Sequence, residues 1–131
     1  MAQSKSHMIS PPLVICFGEA LIDRLGPLGG EPATDSPVDD CLGGAPANVA
    51  CGLRRLGIPV SFIGRVGDDA FGIRLKELMI KRQVNISGLQ IDHLRATRIV
   101  LVGRNQKGER YFHGFLGDSG NGFADQAVDS E

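Results

Sequence analysis

Two adjacent glycines, Gly43 and Gly44, stand directly in front of an apolar-periodic segment, and Asn48 follows within its first turn. Glycine reaches backbone conformations closed to other residues and lets a ligand lie against the main chain, so the pair is a candidate binding element. Upstream, GEALID from Gly18 to Asp23 supplies two carboxylates, Glu19 and Asp23. A carboxylate accepts hydrogen bonds, an asparagine amide both donates and accepts, and bare backbone adds further amides and carbonyls. Such a set recognises a small polar ligand. The residues alone leave other roles open: glycine pairs serve tight turns before helices, Asp23 suits a turn cap after a strand, and Asn48 suits a brace for the glycine loop.

Other chemistries are excluded by spacing. GEALID has one glycine and GGAPAN two where a GxGxxG dinucleotide fingerprint needs three, and no GxxxxGK[ST] phosphate loop occurs. Cys16, Cys41 and Cys51 are odd in number and in no CxxC or Cys/His ligand spacing, which argues against a disulfide framework and a metal site and for a reducing cytosol. Cys41, beside the glycines, reads as a small apolar residue. With a net charge of −1 and no Lys/Arg run, the chain has no electrostatic footprint for nucleic acid or an anionic membrane. No apolar run is long enough to span a bilayer.

The elements that must position these residues follow from the pattern. The length of 131 residues, with 42% hydrophobic and 22% charged residues, suits one modest globular domain. The polar opening MAQSKSHMIS is expected to be part of a flexible leader over residues 1–12, with Met8 as an alternative start. LVICFG at residues 13–18 reads as a buried strand ending at glycine. Residues 26–40, dense in Gly, Pro and Asp, read as loop or irregular edge structure. A helix is expected from Pro46, with Val49, Ala50, Leu53 and Leu56 as its apolar face and Gly57 as its stop. Residues 59–67 read as the next buried strand, and residues 68–82 as a second helix capped by Asp68 or Asp69. Strand, helix, strand, helix is the grammar of a parallel α/β sheet. Beyond Val84 the pattern changes to an antiparallel hairpin near residues 97–115 around NQKG, then a glycine loop leading into a further helix.

The joint spacing of Gly43, Gly44, Asn48, Gly57 and Gly67 resembles the first signature of the ribokinase/PfkB family of carbohydrate kinases. GEALID, GGAPANVA from Gly43, FIGRVGDDAFG from Phe62 and GERYF from Gly108 are similar to its fructokinase branch. The resemblance implies the amino-terminal part of a ribokinase-like α/β sandwich with a small β lid. Residues 13–131 would belong to the kinase domain, with lid segments near 24–42 and 97–116. It also implies ATP-dependent phosphorylation of a sugar, fructose or similar, in the cytoplasm. Asp23, Gly43, Gly44 and Asn48 would hold the sugar.

On the lid, Arg98, Arg104 and Arg110 suit either an anionic substrate or a solvated ribbon face. Phe112 and Phe115 suit lid packing more than stacking on a sugar, and His113 is a lone exposed histidine. Arg98 and Phe112 are carried as candidate lid residues, and the lid as a candidate homodimer contact. The family's catalytic aspartate lies in a GAGD-type motif further along the polypeptide, at a helix start whose amides stabilise the transferring phosphoryl group. Asp118, in LGDSGNG, lacks the preceding glycine and reads as a turn residue. The resemblance therefore implies that this chain holds no catalytic residue and stops short of the nucleotide site. ATP and Mg²⁺ would serve the complete enzyme, and the chain alone would be inactive. A further departure marks the acceptor side: HGFLGDSGNG follows GERYF, with Leu116 where the fructokinase pattern carries arginine. The alternative is a non-catalytic sugar-binding or interaction module, or a truncated product without activity.

Overall fold

The computed structural model describes residues 12 and 14–130, so the expected leader falls almost wholly outside the described residues. In chain order the elements are β1 (Val14–Phe17), β2 (Leu21–Leu28), β3 (Asp39–Gly43), α1 (Ala45–Arg55), β4 (Val60–Gly67), α2 (Ala70–Lys81), β5 (Asn85–Asp92), β6 (Ile99–Arg104) and β7 (Arg110–Leu116). Strands β1, β4 and β5 form a parallel sheet in that order, with Cys16 opposite Phe62 and Ile63 opposite Gly88. The expected α/β grammar is present, with β5 as a third parallel strand.

A second, four-stranded sheet has the order β3-β2-β6-β7. Strand β2 pairs antiparallel with β3 and parallel with β6. Residues 26–40 are therefore not all loop: Gly26, Pro27 and Leu28 end β2, and Asp39 and Asp40 begin β3. The ladder from β2 to β6 shifts register between Leu25 and Leu28, where Pro27 has no N–H to offer. The β6–β7 hairpin lies where the pattern placed it. Its turn is held by the Asn105 carboxamide oxygen, which accepts from the amides of Lys107 and Glu109, both at 2.9 Å.

The two sheets share one core. Ile22, Ile99 and Leu101 of the four-stranded sheet meet the cluster built by Cys16, Phe62 and Val66 beneath Ala47, Ala50, Leu75 and Met79. Helix α1 presents Ala47, Ala50 and Cys51 to it, with Leu53 partly buried, while Val49 is 52% and Leu56 77% exposed. The expected face of Val49, Ala50, Leu53 and Leu56 is thus corrected. Small side chains let the helix lie close to β1 and β4, and hydrophobicity alone does not rank small residues above Val and Leu. Gly57 ends the helix at φ +81° as expected. The segment after β7 also departs from expectation, because the anticipated helix is only a 3₁₀ turn at Ala124–Gln126. Asp129 then pairs its backbone N–H and C=O with the Gln90 carboxamide (2.8 and 2.6 Å), fastening this segment to β5.

Candidate functional site

Asp23 lies inside β2, opposite Cys41 of β3 and Val100 of β6, which rules out the turn-cap role. Its half-buried carboxylate accepts no hydrogen bond among the described residues. Burial raises its pKa above the ordinary value, and the positive charge of Arg110 partly opposes that. The carboxylate lies over Gly43: a Cβ there would come within 2.5 Å of Oδ2. Gly44 caps α1 at φ +95°, and a Cβ on it would strike the Glu19 carbonyl. Backbone geometry requires glycine at Gly44, and at Gly43 a side chain would displace the Asp23 carboxylate.

Asn48 sits in the first turn of α1, its backbone N–H donating to Gly44 O at 2.9 Å. Its exposed side chain makes no hydrogen bond among the described residues, so it does not brace the glycine loop. The structure brings Asp23 against Gly43, sets Gly44 against the Glu19 carbonyl, and places Asn48 in the turn that follows. Asp23 also lines an open cavity of about 350 Å³ with Leu25, Asp39, Cys41, Val102 and Arg110. The Cys41 thiol is pushed up by burial and then by Asp39, which keeps it protonated.

A second cavity of about 380 Å³ is lined by Glu19, Leu21, Arg98, Phe115, Asp125 and Gln126. Leu21 of this cavity and Asp23 of the other are two residues apart on β2, on the same face of the strand. Arg98 is not on a solvated ribbon face. Its guanidinium makes a fork with Asp125, both bonds 2.7 Å, and lies 4.6 and 4.4 Å from the ring centres of Phe115 and Phe123. The two charged side chains are 15% and 4% exposed. Arg104 donates to Gly26 O at 2.8 Å, so only Arg110 of the three arginines is left without a hydrogen-bond partner among the described residues. Phe112 is 64% exposed and packs edge-on against Phe115 at 5.2 Å. His113 pairs with Glu31 at 2.7 Å.

Sequence reasoning did not find the Arg98–Asp125 pair or the opposition of Asp23 and Arg110. Each joins residues far apart in the chain, and no local signal marks either. Asp118 accepts from the amides of Gly120 (2.7 Å) and Gly122 (3.0 Å), as a turn residue does.

The profile of the family described as "pfkB family carbohydrate kinase" matches residues 11–130. The chain is 44% identical over 104 residues to a protein named probable fructokinase-7 of Arabidopsis thaliana, covering 79% of this chain and 30% of that one. To a fructokinase of Escherichia coli it is 44% identical over 96 residues, covering 73% and 29%. A crystal structure of fructokinase from Xylella fastidiosa with bound ATP superposes with a TM-score of 0.68 at 35% identity, over 86% of this chain and 31% of that one. The chain thus spans about a third of the length of these relatives.

Proposed function

We propose, from the premise that this chain belongs to the pfkB family of carbohydrate kinases, that it is the acceptor-binding part of a longer ATP-dependent sugar kinase. The sugar is fructose or one close to it, and the named relatives are the ground for that choice. Asp23, Gly43, Gly44 and Asn48 hold the acceptor. The four-stranded sheet, built from Leu21–Leu28, Asp39–Gly43, Ile99–Arg104 and Arg110–Leu116, serves as the lid and as a homodimer contact in the cytoplasm.

The observation that carries this reading is the Asp23 carboxylate, half-buried without a hydrogen-bond donor and set over a glycine that leaves its approach open. Because the fold gives that carboxylate no donor, it is free to accept from a sugar hydroxyl, and the Asn48 amide and the backbone at Gly43 and Gly44 supply complementary donors and acceptors for its neighbours.

In the complete enzyme ATP with Mg²⁺ would supply the phosphoryl group and a carboxylate base outside this chain would take the proton of the accepting hydroxyl, while Asp23, Gly43, Gly44 and Asn48 would hold the sugar that carries it. Asp118 spends Oδ1 on the amides of Gly120 and Gly122, as a turn residue does, and is not assigned to the nucleotide. On this reading the transfer belongs to residues of the longer kinase, and this chain by itself is expected to be inactive.

The test is steady-state kinetics of the complete kinase with sugar and ATP varied separately. Asp23→Ala and Asn48→Ala are each expected to lower kcat/KM for the sugar by about tenfold to a hundredfold, with KM for ATP unchanged. Sugar kinetics untouched by Asp23→Ala, or an effect confined to ATP, would return Asp23 to a purely structural role.

A further inference from the structure

Arg110 is the one arginine of the hairpin whose guanidinium has no hydrogen-bond partner among the described residues, while Arg98 is held by Asp125 and Arg104 by the Gly26 carbonyl. It lines the same 350 Å³ cavity as Asp23, which is likewise unpartnered. Leu25 and Val102 are the apolar members of that lining. The positive charge of Arg110 acts on Asp23, yet no salt bridge joins the two. A ligand with adjacent donors and acceptors in the cavity they line could answer both.

We propose that Arg110 is a specificity-determining residue of the acceptor site, donating to one hydroxyl of the bound sugar while Asp23 accepts from another. The proposal rests on the sugar-site reading above and adds a residue to it. The cavity carries Asp23 and Asp39 against the single Arg110, so its net charge is negative and it favours a neutral sugar over a sugar phosphate or sugar acid. Arginine suits the task because its planar fork keeps its charge at every working pH and can serve two neighbouring oxygens.

The test compares Arg110→Gln, Arg110→Lys, Asp23→Asn and the exposed control Lys76→Ala in the complete kinase. Arg110→Gln is expected to lower kcat/KM for fructose by about tenfold, chiefly through KM, with KM for ATP unchanged and Arg110→Lys in between. A pH profile gives a readout that mere lid packing would not move. The charged and titratable groups facing Asp23 are Arg110 of β7 and Asp39 and Cys41 of β3; β6 contributes only Val100 and Val102. Removing the positive charge raises the Asp23 pKa further, so the acid limb of kcat/KM moves to higher pH in Arg110→Gln and stays in place in Arg110→Lys. Loss of sugar use in Asp23→Asn together with kinetics of Arg110→Gln within about twofold of wild type would overturn the assignment of Arg110 alone. Unchanged sugar kinetics in both variants would overturn the sugar site and this assignment with it.

Discussion

At the junction of the two sheets the carboxylates are saturated with donors; on the open face of the four-stranded sheet, Asp23 has none. Asp92, 2% exposed at the end of β5, accepts from the amides of Leu94 and Arg95 and from the guanidiniums of Arg65 and Arg95, at 2.8 to 3.3 Å. Asp69 caps α2 through the Gly72 amide and also takes the amide and hydroxyl of buried Thr97, all at 2.8 Å. Thr97 in turn accepts from the Gly67 amide. These groups tie β4, α2, β5 and the start of β6 into one joint. A carboxylate whose lone pairs are filled by the fold has nothing left for a ligand, whereas one that the fold gives no donor is open to a substrate.

The largest effect expected from breaking this contrast is at Asp92. Asp92→Asn leaves two arginines beside a buried site with no anion, and removing one partner of a buried pair costs about 3 to 5 kcal/mol. Urea unfolding checks this, and a loss below about 1 kcal/mol would show that the joint is not held by that charge. The pH dependence sharpens it. Burial pushes the Asp92 carboxyl up, but its hydrogen bonds pull it well below the usual carboxylate range. A depressed pKa gives stability that is present above the unfolded value and lost as pH falls through the folded one. The gap between wild type and Asp92→Asn should therefore close in acid.

Asp23→Asn should behave in the opposite way. Its carboxyl is raised by burial, so ionisation opposes folding, and the associated stability is lost as pH rises through the folded pKa. The variant is expected to unfold at the same or slightly higher urea concentration at neutral pH, while kcat/KM for the sugar falls about tenfold. A variant that lost stability in step with activity would erase the distinction between the two regions. Arg98→Lys probes the intermediate case. It keeps the charge but gives up the fork to Asp125 and the planar contact with Phe115 and Phe123, a loss of about 1 to 2 kcal/mol in unfolding experiments. Lys76→Ala, on the exposed side of α2, should stay within about 0.5 kcal/mol.

Local chemistry made much of this legible from residue order. The α1 start near Pro46, its stop at Gly57, a cap at Asp68 or Asp69, of which the fold uses Asp69, and the turn around Gly108 all depend on interactions within a few residues. Gly43, Gly44, Asn48 and Asp23 could be singled out because their spacing resembles a family signature. Tertiary structure decided what local pattern cannot rank. It chose Ala47 and Cys51 over Val49 and Leu56 as the buried face of α1, because close approach to the sheet rewards small side chains. It drew Gly26–Leu28 and Asp39–Asp40 into strands by giving each a partner, against a loop-like composition. Arg98 and Asp125 are separated by 27 residues, and Asp23 and Arg110 by a whole α/β unit; only the folded chain brings such charges together. Whether they meet in a salt bridge or across a cavity depends on where the strands place their backbones, and that is set by long-range pairing.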